Sequence, residues 1–276
     1  MPPSLTDISR YLQRLDYDRP PPPTLDALRE LQRRHTAAFP FETLSTLMRL
    51  PVSMDLHDIE HKLLHEGRGG YCYELNRAFL ELLLSLGFDA RGITGRVMGE
   101  AEGTVTARTH LLSLVTLDGV RYTVDVGFGG MVPTAPLQLD YEDAQPTPHE
   151  PYRITRQGEQ YLLQAQVAAD WRALYVFDLQ PQAEIDHVVG NWYVSTHPDS
   201  PFLDQLRVAR TGPGWRRTLG NGSVALHRIG HASERRALVD VKDVIAELRE
   251  GFDLRVPDHP ALAPAIARWL QAHDDA

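Results

Sequence analysis

The chain has 276 residues, of which 42% are hydrophobic and 24% charged, and its formal net charge is −9. This composition is typical of a water-soluble globular protein, either one large domain or two to three packed small ones. The acidic balance argues against general affinity for nucleic acid, which depends on clustered lysine and arginine. No segment approaches the roughly 20 apolar residues that span a bilayer, so no membrane partner is expected.

Cys72 is the only cysteine of the chain. An internal disulfide framework is therefore excluded, and a reducing compartment fits best. The first residues, 1–7, carry no basic region followed by an apolar run, so we expect no signal peptide. These features predict a cytoplasmic protein, and nothing in the sequence marks an interface that would set its oligomeric state.

The first third of the chain is predicted to be helical, because its apolar residues recur at helical spacing. The prolines at 20–23 end the first helix, Thr24 is suited to cap the second, and Gly87 is suited to end the fourth. The predicted helices cover about residues 5–15, 25–39, 57–65 and 72–86.

The rest of the chain changes pattern. Its middle third has the signals of an antiparallel sheet or barrel, with a polar, proline-rich loop at 140–151. The last third holds a Ser/Pro-broken connector at 191–202, two strands within 206–226, and amphipathic helices at 240–250 and 262–272. The strands predicted in the middle third cover residues 91–97, 110–117, 120–128, 152–155, 160–166 and 174–177.

Cys72 is predicted to lie at or near a helix start, because Gly69 and Gly70 precede it and a helical run follows. Unpaired backbone N–H groups and the helix dipole favour a thiolate at such a position, and the thiolate is the nucleophilic form of cysteine. A lone cysteine is by default a small buried hydrophobic residue, so its chemistry depends on its neighbours.

A predicted hairpin supplies a histidine and a carboxylate. The Asp-Gly pair at 118–119 is a good type I′ turn, and the register it sets places His110 and Asp125 as diagonal neighbours on one face. In that arrangement the carboxylate accepts the imidazole N–H and stabilises the protonated ring. A register slip of one residue would put the two side chains on opposite faces.

Cys72, His110 and Asp125 are therefore candidates for a catalytic triad, in which histidine takes the thiol proton and aspartate orients the histidine. The chain also contains 12 histidines and many aspartates. On spacing and hairpin geometry alone, a chance triple remains a second interpretation.

The sequence around these three residues resembles the arylamine N-acetyltransferase family. The family pattern R-G-G-x-C-x-E-x-N is matched at 68–76, a histidine that opens an apolar strand at 109–112, and V-D-V-G-F-G at 124–129. The three motifs stand in the family's order and at its intervals, which is far more specific than any one of them. Weaker matches extend the resemblance over nearly the whole chain, although Thr43 stands where the family usually has asparagine; they lie at 11–15, 39–42, 133–137 and 191–198.

The resemblance implies an α+β fold in three parts. A helical bundle over 1–87 carries the cysteine, an antiparallel β-barrel over 88–188 carries the histidine and aspartate, and an α/β lid covers 189–276. It also implies ping-pong transfer of an acetyl group from acetyl-CoA, as a cosubstrate and not a permanently bound cofactor, to an arylamine, arylhydrazine or N-hydroxyarylamine. Cys72 is expected to carry the acetyl group between the half-reactions, and no metal is implied.

Supporting roles follow from the same resemblance. The side chains expected to hold Asp125 are Asn76 and Tyr193, and a buried charge network under the cysteine is expected from Arg14, Glu42 and Arg68. An aryl pocket is expected to be lined by Phe41 and Phe128. The positions expected to contact CoA are Phe128, Gly129 and Gly130. Each of these residue types is also common as an ordinary surface or core residue. The backbone N–H of Cys72 is our candidate donor to an oxyanion.

A metal site is a competing interpretation. The segment 57–61 matches H-x-x-E-H, the inverzincin pattern, and His65 extends the same helical face. Two histidines four residues apart can bind zinc, with the glutamate as base. The pattern is short, and a solvated polar helix face is the simpler interpretation.

The same triad is also compatible with different reactions. Transglutaminases and papain-like proteases use a cysteine, a histidine and a third polar residue, so hydrolysis of an amide is a possible reaction. An amide synthase related to the family would use a carrier-bound acyl chain in place of acetyl-CoA. A non-enzymatic scaffold that binds CoA or an aromatic ligand is disfavoured, because all three triad members are present.

Overall fold

The N-terminal part of the protein is helical, as the apolar spacing predicted. The computed structural model describes residues 5–99 and 105–274. Its helices in this part are α1 (Ile8–Arg14), α2 (Leu25–Ala38), α3 (Leu44–Leu47), α4 (Leu56–Glu60, continued by a π-helical turn, His61–His65) and α5 (Cys72–Ser85). The Thr24 hydroxyl accepts a hydrogen bond from Ala27 N and caps α2, and Gly87 follows α5 with a φ of +84°.

The middle part is an antiparallel sheet with strand order β5-β4-β3-β2-β8-β7-β6. Its edge strands β5 and β6 lie in contact, so the sheet forms a nearly closed barrel. Asp118 and Gly119 have φ values of +49° and +78°, as the predicted type I′ turn requires. The strands are β2 (Asp89–Val97), β3 (His110–Leu117), β4 (Val120–Val124), β5 (Leu137–Gln138), β6 (Tyr152–Gln157), β7 (Gln160–Val167) and β8 (Asp170–Phe177).

A second antiparallel sheet, in the order β1-β9-β10-β11-β12, forms the last part and takes its first strand from the N-terminal region. Its strands are β1 (Phe41–Glu42), β9 (Val208–Gly212), β10 (Trp215–Gly220), β11 (Ser223–Arg228) and β12 (Glu234–Ala237). The helices α7 (Val241–Glu250) and α8 (Leu262–Asp274) pack against it through a shared apolar cluster.

Two sequence predictions for this part are wrong. Residues 206–226 hold three strands and not two, because Gly214 (φ +72°) makes a further tight turn between β9 and β10. The predicted connector at 191–202 begins as helix, because α6 (Glu184–Thr196) continues through its first half. The proposed boundary between residues 188 and 189 falls inside this helix.

Helix α5 is the central element for the site. It packs against β2 and β3, and its residues from Cys72 to Leu83 are all buried. Strand β3 is covered on both sides: Leu111 belongs to the core shared with α5, whereas Leu112 belongs to the core inside the barrel. The start of α5 and the start of β3 are thereby fixed against each other. None of the described helices has the length and apolar character needed to cross a membrane.

Candidate active site

Cys72 is the first residue of α5 and follows a turn that requires glycine. A Cβ atom at Gly69 would lie 1.9 Å from the Pro40 carbonyl oxygen, and one at Gly70 would lie 2.8 Å from Glu74 Cβ. Any larger residue would therefore displace the chain just before the cysteine.

The first turn of α5 is capped by a carboxylate. Glu74 Oε2 accepts a hydrogen bond from the Tyr71 backbone N–H at 3.1 Å, which is one half of a capping box. Cys72 is buried, and its thiol is 3.6 Å from the Thr109 carbonyl oxygen, to which it donates. The thiol therefore faces the residue that immediately precedes His110.

The hairpin brings His110 and Asp125 together in the predicted register, with Leu117 opposite Val120. The strand predicted at 120–128 ends earlier, because the Asp125 carboxylate accepts the N–H of Gly127 at 2.9 Å and turns the chain. His110 Nε2 and Asp125 Oδ2 are 2.6 Å apart, and both residues are at least 98% buried. The second ring nitrogen, Nδ1, is left for the thiol.

Asp125 is held by two further side chains. Asn76 Nδ2 donates to Asp125 Oδ1 at 2.9 Å and to the Leu111 carbonyl at 2.7 Å. The Tyr175 hydroxyl donates to Asp125 Oδ2 at 3.1 Å. The structure thus places Asn76 where the sequence prediction put it.

The predicted role of Tyr193 belongs to Tyr175 instead. Tyr193 lies on α6 and stacks on His197, with ring centroids 4.4 Å apart, and within the described residues it makes no hydrogen bond to Asp125. Tyr175 lies on β8, which pairs with β2 beside β3. The sequence predicted β8 as a strand but contained no signal for its pairing with β2.

The surroundings of His110 and Asp125 favour the charged form of each side chain. Burial alone would lower the pKa of His110, but the Asp125 carboxylate and hydrogen bonds to Asp125 and Cys72 raise it to about 10. Burial alone would raise the pKa of Asp125, but the His110 charge and hydrogen bonds from His110, Asn76 and Gly127 hold it below its ordinary value. An imidazolium is therefore favoured beside the thiol at neutral pH.

A buried charge network lies under the cysteine, with a composition that differs from the prediction. Arg68 donates two hydrogen bonds to Glu42 Oε1, at 2.6 and 2.9 Å. Lys62 Nζ lies 2.6 Å from Glu74 Oε1 and 3.7 Å from Glu42 Oε1. The predicted member Arg14 lies outside this group: its side chain is 41% exposed and donates to the Ala38 carbonyl.

Aromatic side chains border the candidate triad. Phe128 packs edge-on against His110 with ring centroids 5.1 Å apart. Phe41 and Gly129 line one small cavity, and Gly129 has a φ of +80°. Gly130 accepts a hydrogen bond from Arg216 of β10 through its carbonyl. Phe128 therefore contacts His110 directly, whereas Phe41 lies beside Gly129, the residue that follows Phe128.

The H-x-x-E-H segment is used structurally. Glu60 is buried and accepts hydrogen bonds from the N–H and hydroxyl of Thr6, while His57 and His61 are exposed. His61 Nδ1 lies 3.3 Å from Glu66 Oε1, and the His61 ring stacks on that of His65. Within residues 5–99 and 105–274, no group of three or more His, Cys, Asp or Glu side chains is arranged to hold a metal ion.

Comparison with known proteins identifies the family. The family model described as N-acetyltransferase matches residues 24–261. An arylamine N-acetyltransferase from Mycolicibacterium smegmatis is 40% identical over 255 residues, which cover 90% of this chain and 92% of that protein. The chain belongs to the arylamine N-acetyltransferase family.

Two further comparisons agree. The arylamine N-acetyltransferase / N-hydroxyarylamine O-acetyltransferase of Salmonella typhimurium is 39% identical over 255 residues and 91% of either chain. The structure of the Mycobacterium marinum arylamine N-acetyltransferase in complex with CoA matches with a TM-score of 0.89 and 39% identity, covering 95% of this chain and 99% of that one. The predicted family, the α+β fold and the acyltransferase class are confirmed.

Proposed function

We propose that this protein transfers an acetyl group from acetyl-CoA to the nitrogen of an arylamine, arylhydrazine or N-hydroxyarylamine through an acetylated Cys72. The observation that carries the proposal is the buried His110–Asp125 pair at 2.6 Å, beside a thiol at a helix start. Family membership supports the reaction class, and the CoA complex of the M. marinum relative supports the cosubstrate.

In the first half-reaction, the Cys72 thiolate attacks the acetyl carbonyl carbon of acetyl-CoA and a new C–S bond forms. The bond between that carbon and the CoA sulfur then breaks. His110, protonated beside Asp125, gives its proton to the departing CoA thiolate. CoA leaves, and the enzyme retains an acetyl thioester on Cys72.

In the second half-reaction, the amine nitrogen attacks the carbonyl carbon of acetyl-Cys72. His110 now accepts a proton from that nitrogen, the C–S bond breaks, and Cys72 departs as thiolate. The acetylated amine leaves, and the imidazolium–thiolate pair is restored. Asp125 keeps the imidazole ring oriented in both half-reactions. It is itself held in place by burial and by hydrogen bonds from Asn76, Gly127 and Tyr175.

The backbone N–H of Cys72 is our candidate for oxyanion stabilisation. Within residues 5–99 and 105–274, no group accepts a hydrogen bond from it. It lies in the first turn of α5, where the helix dipole favours a developing negative charge. We also propose that the aromatic ring of the acceptor contacts Phe41 and Phe128. The proposed contacts of CoA are with the backbone at Phe128, Gly129 and Gly130.

The first half-reaction can be tested alone. Incubation with acetyl-CoA without any amine, followed by intact-protein mass measurement, should show one added acetyl group. The adduct should be absent in Cys72→Ala and greatly slowed in His110→Ala and Asp125→Ala variants that remain folded. An active enzyme without an acetyl adduct would contradict the ping-pong scheme. An arylamine panel added to the acetylated enzyme then tests acceptor class.

A further inference from the structure

Lys62 has an unusual position for a lysine in this protein. Only Lys62 and Lys242 are lysines among the 28 basic Lys and Arg residues of the chain. Lys242 is exposed on α7, whereas the Lys62 side chain is only 14% exposed. Lys62 lies in the π-helical turn that continues α4, and such turns are frequent at functional sites.

The Lys62 ammonium balances a specific carboxylate. Its Nζ is 2.6 Å from Glu74 Oε1 and more distant, 3.7 Å, from Glu42. Glu42 already receives two hydrogen bonds from Arg68. Lys62 is therefore the counter-charge of Glu74, and the four side chains together carry two positive and two negative charges.

Glu74 connects this charge to the nucleophile. While Oε1 binds Lys62, Oε2 accepts the backbone N–H of Tyr71, the residue before Cys72. Gly70, on the other side of Tyr71, is fixed by backbone hydrogen bonds to Pro40 and Glu42. The turn that presents Cys72 is thus held from one side by backbone and from the other by a carboxylate that depends on Lys62.

We infer that Lys62 is a positioning residue for the nucleophile, which acts by holding the Glu74 carboxylate against the Tyr71 N–H and by balancing its charge beneath Cys72. A lysine suits the place because its compact ammonium fits between two carboxylates, whereas a guanidinium needs a wider, planar site. Loss of Lys62 leaves Glu74 as an uncompensated buried anion close to a site that must stabilise a thiolate and an oxyanion. The role in acetyl transfer rests on the proposed function.

The test measures Cys72 reactivity in two ways. One is the alkylation rate of Cys72 by iodoacetamide at pH 7, and the other is the rate of acetylation by acetyl-CoA, both by intact mass. The variants are Lys62→Met, the charge-neutral pair Lys62→Met/Glu74→Gln, and the control Lys242→Met. Glutamine at position 74 retains an oxygen that can accept the Tyr71 N–H. Thermal unfolding first defines a temperature at which each variant is folded.

We expect Lys62→Met to slow both rates by about tenfold or more. We expect the double variant to recover to within about threefold of the native rates, since it removes both buried charges, and Lys242→Met to match the native protein. The inference is overturned if folded Lys62→Met reacts at the native rate, or if the double variant is as slow as the single one. Because alkylation needs no acetyl-CoA, native protein that alkylates normally but accepts no acetyl group would refute the proposed function alone.

Discussion

The Tyr175 hydroxyl donates to Asp125 Oδ2, the same carboxylate oxygen that faces His110 Nε2. One oxygen thus serves both the histidine on β3 and a tyrosine on β8, two strands away in the sheet. We expect Tyr175→Phe to keep the fold, because the buried ring stays, and to slow Cys72 acetylation by roughly ten- to hundredfold, the effect of one hydrogen bond to a charged group. Single-turnover acetylation followed by mass measurement checks this.

Tyr193→Phe is the matched control for Tyr175→Phe. Its ring stacks on His197, and within the described structure its hydroxyl makes no hydrogen bond to Asp125. Its acetylation rate should stay within about twofold of the native rate. A larger loss in Tyr193→Phe than in Tyr175→Phe would reverse the assignment made from the structure.

Asn76 joins α5 to β3 and to the segment that follows β4, through hydrogen bonds donated to Leu111 and Asp125 and one accepted from Val126 N. We expect Asn76→Asp to lower the free energy of unfolding by about 2–4 kcal/mol, because it removes donors and places a second carboxylate beside Asp125. Urea unfolding at pH 7 measures the change. Asn221→Asp, in the exposed turn between β10 and β11, should change the value by less than about 0.5 kcal/mol.

The contact between His110 and Asp125 could be predicted because its signals are local. The Asp-Gly pair at 118–119 sets the hairpin register, and that register alone brings His110 to Asp125. Tyr175 could not be found in this way. It reaches Asp125 only because β8, distant in sequence, pairs with β2 next to β3, and such long-range strand pairing has no short-range pattern. The Lys62–Glu74 pair has no sequence signal either, since the π-helical turn that aims Lys62 has the apolar spacing of an ordinary helix.

Helix α6 was missed for a different physical reason. Its apolar residues Ile185, Val189 and Trp192 are 58–63% exposed, whereas its polar His187 and Asn191 are buried. Apolar residues ordinarily mark the buried face of a helix, and this helix has the opposite arrangement. Asn191 accepts a hydrogen bond from the Tyr71 hydroxyl and donates to the Val52 carbonyl, so buried polar contacts fix the helix in place.

The Glu42–Arg68 pair should contribute strongly to stability. Arg68→Met leaves a buried carboxylate without its main partner, and we expect a loss of about 3–5 kcal/mol in the free energy of unfolding. The double variant Glu42→Gln/Arg68→Met should lose less, because no unpaired charge remains. Arg14→Met, on the exposed arginine that was predicted to join the network, should cost less than about 1 kcal/mol. Equal losses in Arg68→Met and Arg14→Met would contradict the observed network.

The raised pKa of His110 links stability to pH. The ordinary histidine pKa is about 6.5. Burial opposes protonation, but Asp125 and the thiol outweigh it and raise the pKa of His110 to about 10. The folded state therefore binds this proton more tightly than the unfolded chain. The resulting stabilisation is fully present below about pH 6.5 and is lost as pH rises through about 10.

His110→Gln isolates this contribution. The difference in free energy of unfolding between native protein and variant should shrink steadily from about pH 6.5 to 10, as measured by urea unfolding in matched buffers. A control substitution at the exposed, non-ionisable Val239 should give a difference that does not change over this range. A native–His110→Gln difference that is constant with pH would show that the imidazolium does not stabilise the fold.

Gly129 should tolerate alanine less well than an equally strained glycine elsewhere. Gly129 and Gly119 have φ values of +80° and +78°, so alanine strains both by about 1 kcal/mol. A Cβ at Gly129 would also lie 3.3 Å from the Phe41 ring, whereas a Cβ at Gly119 meets nothing within 4 Å. Since Phe41 is a proposed aryl contact, Gly129→Ala should raise the KM for an arylamine several-fold, and Gly119→Ala should lower stability without changing that KM. Equal KM values in the two variants would place the aryl pocket away from Phe41 and Gly129.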